Sequence, residues 1–243
     1  MKKLTTLTLS FCSLMIFSAC NDSSVKEEKT AKEKSKDTSS ISLVKAPVTP
    51  AYTDSSLSLG NMELSNTDSG YFANFLFDVN NYELGIQTED AEERGIANSK
   101  KGQHIHFILD NSPYSAHYTP EFSKKLEEGN HVFLAFLARS YHQSVKHSES
   151  FLVKNVAVGE NSDDTVDLSA PHLFYSRPKG TYSGTDTENL LLDFFLLNTN
   201  ISSSGNKVKA TINGEEFTID EWAPYYIQGL EKGVVSIKLE LLD

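Results

Sequence analysis

From about residue 55 onward, apolar and polar positions alternate in short runs rich in Val, Ile, Leu, Phe and Tyr, and Gly, Asn, Asp or Pro interrupts the runs roughly every ten residues. This is the pattern of half-buried strands, and it predicts an all-β protein. The faces are clearest near the end of the chain. Over 207–212, Val208, Ala210 and Ile212 point inward while Lys207, Lys209 and Thr211 face water. Over 235–241, Val235, Ile237, Leu239 and Leu241 point inward and Ser236, Lys238 and Glu240 outward.

The pattern occurs twice. Residues 102–110 (GQHIHFILD) align with 205–213 (GNKVKATIN), and 120–137 (PEFSKKLEEGNHVFLAFL) with 224–241 (PYYIQGLEKGVVSIKLEL), sharing a Leu-x-x-Gly step at Leu126–Gly129 and Leu230–Gly233. More weakly, 72–84 aligns with 190–201. Short strands and tight turns such as Asn213-Gly214 predict two tandem immunoglobulin- or fibronectin-like β-sandwiches, 55–170 and 171–243, the second without a closing last strand.

Each repeat serves as a control for the other. Carrying the in/out phase of the second repeat onto the first turns Ile105, Phe107 and Leu109 inward, together with His131, Phe133, Ala135 and Leu137. His104, His106, Ile108, Val132, Leu134 and Phe136 then face out. A face that is charged and hydroxylic in one copy is thus apolar and imidazole-flanked in the other, and something must cover it. The second sandwich or the segment 54–100 is one cover. A peptide or small apolar ligand is another, with the loop residues Arg139, Tyr141 and His142 at its edge. The third is a metal ion, since six of the seven histidines fall between 104 and 147. His104 and His106 at i, i+2 present both rings to one side, with His142 or His147 as loop ligands to copper or zinc.

The amino terminus reads as an address. Lys2 and Lys3 precede an apolar run over 4–17, then Ser18-Ala19-Cys20, the pattern of a lipoprotein signal peptide over 1–19 with Cys20 lipidated. Residues 20–54, dominated at first by Lys, Glu, Ser and Thr, are expected to be a disordered tether. The chain is then exported and held at the cell envelope, at the outer membrane or the periplasmic face, with the membrane as a partner through its lipid.

Composition removes several alternatives. Two cysteines, one of them in the leader, exclude a disulfide scaffold and a thiolate metal knuckle. A net charge of −11 argues against a nucleic-acid partner. The sequence contains no G-x-S-x-G, H-E-x-x-H, phosphate-loop or EF-hand spacing. The acidic groups at 89–93 and 163–167 read as solvated loops before calcium sites, and Arg139, Arg177 and Lys179, near Tyr141, Tyr175 and Tyr182, offer a clamp for phosphate or carboxylate.

The segments KGQHIHFILDNSPYSAHYTPEFSKKL, GNHVFLAFLARSYHQSVK, LFYSRPKGTYSG and LLDFFLLNTNISSSGNKVKATINGEEF resemble a family of exported Bacteroidota lipoproteins carried under the name phosphopeptide-binding protein. The resemblance covers most of 55–243 and implies an exported sandwich protein. It assigns no residue roles. The expectation at this point is a lipid-anchored, non-catalytic binding or scaffolding module for a peptide or small ligand, without a cofactor. Its site would be His104, His106, Ile108, Val132, Leu134, Phe136, Arg139, Tyr141 and His142. The alternative is a periplasmic copper or zinc protein using His104, His106, His142 and His147.

Overall fold

The computed structural model describes residues 40–160 and 165–243. The expected signal peptide over 1–19, Cys20 and residues 21–39 of the expected tether lie outside the described residues, as do Asp163 and Asp164. The fold is all-β, with fourteen strands in four antiparallel sheets among the described residues. Among the described residues no helix is long and apolar enough to cross a membrane.

In the first repeat, β2 (Ser56–Thr67), β3 (Gly70–Asn80) and β6 (Glu121–Leu126) form one sheet in the order β2-β3-β6. The facing sheet, in the order β5-β4-β7-β8, contains β4 (His104–Leu109), β5 (Ser115–His117), β7 (Gly129–Ala138) and β8 (Phe151–Val158). Phe75, Phe77, Ile105, Phe107, Phe133, Ala135 and Leu137 close the core between them. The period-two phase holds on both β4 and β7, which pair directly from His104↔Ala138 to Leu109↔Phe133. His131 departs from it. It sits half-buried at the head of β7, its ring nitrogens 2.7 Å from the Asp110 carboxylate and 2.9 Å from the Glu127 carbonyl, and is not part of the core.

The second repeat has the same strand order. β9 (His172–Arg177), β10 (Leu190–Leu197) and β13 (Tyr225–Gln228) correspond to β2, β3 and β6. The other sheet, β12-β11-β14, contains β11 (Lys207–Ile212), β12 (Glu215–Ile219) and β14 (Ile237–Leu242), counterparts of β4, β5 and β7. Val208, Ala210, Ile212, Phe194 and Leu192 are buried between its sheets.

One element corrects the sequence reading. Ser42–Lys45 (SLVK) forms β1 and pairs with β13 from Ser42↔Gln228 to Lys45↔Tyr225, so the expected tether up to residue 54 is ordered over this stretch. A four-residue strand has too short an alternation to stand out beside a Lys/Glu/Ser segment. Its order comes from the sheet edge it completes. The chain then crosses back, and Arg94 and Arg139 donate to the carbonyls of Val48 and Pro50.

The apolar face of β4, β7 and β8 is covered by the second repeat. Ile108, Val132, Leu134 and Phe136 are buried against Phe174 of β9 and Phe195 of β10, with the Phe136 and Phe195 rings stacked at 5.1 Å. Each such ring contributes about 1.5–3 kcal/mol by leaving water. Beside this contact, Asp193 lies fully buried in an otherwise apolar strand. Its carboxylate accepts from the Ser144 amide at 3.0 Å, the Ser144 hydroxyl at 3.1 Å and Lys146 Nζ at 2.7 Å. Lys146, held below its ordinary pKa by burial and kept charged by Asp193, also donates to the Phe194 carbonyl at 2.9 Å. A buried ion pair adds little net stability, but removing either partner strands the other charge, so this network fixes how the repeats dock.

Candidate metal centre

Three histidines converge where the first repeat meets the second. His104 and His106 stand on the outer face of β4, and His142 comes from the turn after β7. One ligand atom from each lies within 4.8 Å of the other two. His142 Nδ1 is 3.1 Å from His104 Nε2 and 3.4 Å from His106 Nε2. Ligands at about 2.0–2.1 Å from a tetrahedral zinc stand about 3.3 Å apart, so these two edges already match such a site.

Local structure aims each ring. His104 Nδ1–H donates to the Gly102 carbonyl at 2.8 Å, which leaves Nε2 as the lone pair. Gly102 has φ +87°, and a Cβ there would run into the Ile86 carbonyl, so only glycine lets this carbonyl approach. His106 Nδ1 is 3.2 Å from the Ser176 hydroxyl of β9, and its ring stacks on Tyr114 at 3.8 Å. The second repeat therefore orients a residue of the first. Such outer contacts fix the tautomer of a ligating imidazole.

His142 occupies a position that usually falls to glycine or asparagine. After β7 the chain turns with the His142 amide donating to Arg139 O at 2.8 Å and Arg139 N donating to Gln143 O at 2.9 Å. His142 itself has φ +69°, the left-handed residue of a bulged hairpin turn. A non-glycine residue there carries a conformational cost, and at this position the imidazole is turned back over β4.

The electrostatics favour neutral rings. Burial lowers His104 to about 4, with Arg177 adding to the effect and the Gly102 hydrogen bond opposing it. Burial, then the charge of Arg177, takes His142 down to about 2. His106 is held well below its ordinary value by burial, then by its two neighbouring rings and by Arg177 and Lys179. All three rings are neutral at neutral pH, each with one protonated and one unprotonated nitrogen. A single proton on His142 Nδ1 satisfies both facing Nε2 atoms, and an ion at the same point would replace it. Tyr114 completes the surroundings, its hydroxyl 3.3 Å from His142 Nδ1 and accepting from Arg177 at 2.8 Å.

The remaining expected site residues are elsewhere. Ile108, Val132, Leu134 and Phe136 form the contact between repeats and leave no open strip for a ligand. His147 is not in the cluster. Its Nε2 lies 3.0 Å from the Tyr52 carbonyl and 3.2 Å from the Ser55 hydroxyl. Tyr141 is fully buried in a separate cluster with Ala91, Leu191 and Tyr226, and Arg139 is a backbone clamp that donates to the carbonyls of Ser144 and Pro50. Both side chains turn away from the histidines because the turn alternates its directions. Arg177 and Lys179 hold Tyr114 instead of standing free to clamp an anion. Tyr114 and Ser176 were missed, since nothing in their spacing links them to residues 104–106.

No family model matches this chain, and no curated protein matches it significantly.

Proposed function

We propose that the protein is a metal-binding protein of the cell envelope that holds one copper or zinc ion on His104 Nε2, His106 Nε2 and His142 Nδ1. The observation that carries this reading is the convergence at one point of three individually oriented imidazoles, two of them buried and His142 partly so. Imidazole sets suit zinc, copper and nickel, and no cysteine lies among the described residues, which fits an all-nitrogen site. Beyond burial, the fixed cation Arg177 lowers all three rings, and Lys179 adds to it at His106 and His142. They oppose a bare dication, and favour either a monovalent ion or a dication that brings an anionic fourth ligand. The role is retention or carriage of the ion, not turnover. Export and anchoring through a lipid on Cys20 belong to the same proposal and rest on the residues 2–20 and on the resemblance to exported lipoproteins.

The test is calorimetric titration of the full chain, purified without a histidine tag, with Zn²⁺ and, under reducing conditions, Cu⁺. One ion per chain is expected, with affinity reduced by about a hundredfold or more in His142→Gly. Absence of stoichiometric binding by the unaltered chain, or equal binding by the variant, would defeat the reading.

A further inference from the structure

Arg177 and Lys179 repel a dication at the three histidines, and a ligand that brought a negative charge from the chain itself would offset them. One oxygen stands where such a ligand is needed. Tyr114, 6% exposed, lies directly before β5, and its Oη is 3.3 Å from His142 Nδ1. His104 Nε2 and His106 Nε2 stand 3.1 and 3.4 Å from the same nitrogen. Ligand atoms about 2.0–2.1 Å from a tetrahedral ion are about 3.3 Å apart, so all three edges that meet at His142 Nδ1 have the length a four-ligand site requires.

The Tyr114 ring is held from several sides. It stacks on His106 at 3.8 Å with the planes 13° apart, and Lys179 Nζ lies 4.7 Å from its centroid and donates to the Tyr114 carbonyl. Arg177 Nη1 donates to Oη at 2.8 Å, a charge-assisted hydrogen bond that stabilises negative charge on the oxygen.

The second repeat repeats this juxtaposition in another chemistry. Phe107↔Ser115 and Ala210↔Phe217 are corresponding pairs, so Glu216 is the counterpart of Tyr114, as Lys209 is of His106. Glu216 places a carboxylate oxygen 3.3 Å from Lys209 Nζ. In both repeats the returning chain carries an oxygen back over the outer face of the preceding strand, beside an ammonium in one and beside imidazoles in the other.

We propose that Tyr114 Oη is the fourth ligand of the ion held by His104, His106 and His142, bound as the phenolate with its proton released to solvent. The proposal rests on the histidine reading. It makes the set three imidazoles and one anionic oxygen, which favours Cu²⁺ or Zn²⁺ over Cu⁺, because a hard oxygen suits a soft monovalent ion poorly.

The probe is Cu²⁺, titrated into the full chain purified without a histidine tag and followed by absorption and resonance Raman spectroscopy. At one equivalent a phenolate-to-copper charge-transfer band should appear in the visible. Excitation within it should enhance tyrosinate ring modes, a measurement that needs no variant. Tyr114→Phe keeps the ring and its stack but removes the oxygen. With its fold confirmed by circular dichroism, the variant should lose the band and bind Cu²⁺ and Zn²⁺ at least about tenfold more weakly, while Cu⁺ affinity stays within about twofold. Stoichiometric Cu²⁺ binding without the band, or a band that persists in Tyr114→Phe, would overturn the proposal and leave the histidine reading standing. An unaltered chain that binds none of the three ions would end both.

Discussion

The two repeats share a strand order and differ in what covers them. On β4 and β7 the outer face carries His104, His106, Ile108, Val132, Leu134 and Phe136, and the second repeat lies over it. On β11 and β14 the same face carries Lys207, Lys209, Lys238 and Glu240, and it meets solvent through pairs such as Lys209 with Glu240 at 3.2 Å. One scaffold thus serves twice. Side chains facing away from the core decide whether a copy docks a neighbour or stays wet, and burial of the docked face gives the histidines their low-dielectric site.

The largest effect expected from breaking this comparison is at the docking contact. Phe195→Ala removes a fully buried ring from it, and urea denaturation should show a loss of about 3–5 kcal/mol. Asp193→Ala should cost a similar amount because it strands Lys146. Lys209→Ala, on the corresponding free face, should leave the urea midpoint essentially unchanged. If both faces proved equally tolerant, the distinction drawn between them would fail.

The next effect is on pH dependence. In the unfolded chain the histidines titrate at about 6.5, but folded His104 and His117 titrate near 4, His142 near 2, and His106 well below its ordinary value. As pH falls from about 6.5 to 4 the unfolded chain takes up protons that the folded rings refuse, so stability falls with pH. His131 works in the opposite sense. Burial alone would lower it, but hydrogen bonds to Asp110 and Glu127 outweigh this and raise its pKa. Its contribution is full below about 6.5 and is lost as pH rises through the raised value. Four lowered rings outweigh one raised ring, so chemical denaturation should show a stability that drops between pH 6.5 and 4, by on the order of a few kcal/mol in total.

A smaller effect separates folding from binding. His142→Gly relieves the left-handed backbone while removing one ligand, so stability should stay within about 1 kcal/mol of the unaltered chain. Metal retention should be lost. A variant that unfolded instead would mean that the imidazole is a packing element.

The strand phases could be read from the sequence because a period of two fixes both faces at once, and the repeat allowed one copy to check the other. Ile105, Phe107, Val208 and Ile237 all face as their phase requires. That the apolar face needed a cover was also legible from its contrast with the lysines of β11. Which cover it has was not, because docking depends on Phe174 and Phe195, and nothing in the spacing of those residues points to β4. The same limit applies to the site. His104 and His106 share a strand and signal each other, but the choice of His142 over His147 depends on the hairpin turn, and the same turn carries Arg139 and Tyr141 away. β1 was hidden for a different reason. Its four residues owe their order to the edge of β13.

The most direct test of the central claim is nuclear magnetic resonance of the imidazole nitrogens of all seven histidines during titration of the full chain with Zn²⁺. The account predicts that at one equivalent the ligand nitrogens of His104, His106 and His142 shift together, while His117, His131, His147 and His172 keep their positions. Zinc that first moves His147, or that leaves the three buried rings unchanged at one equivalent, would contradict it.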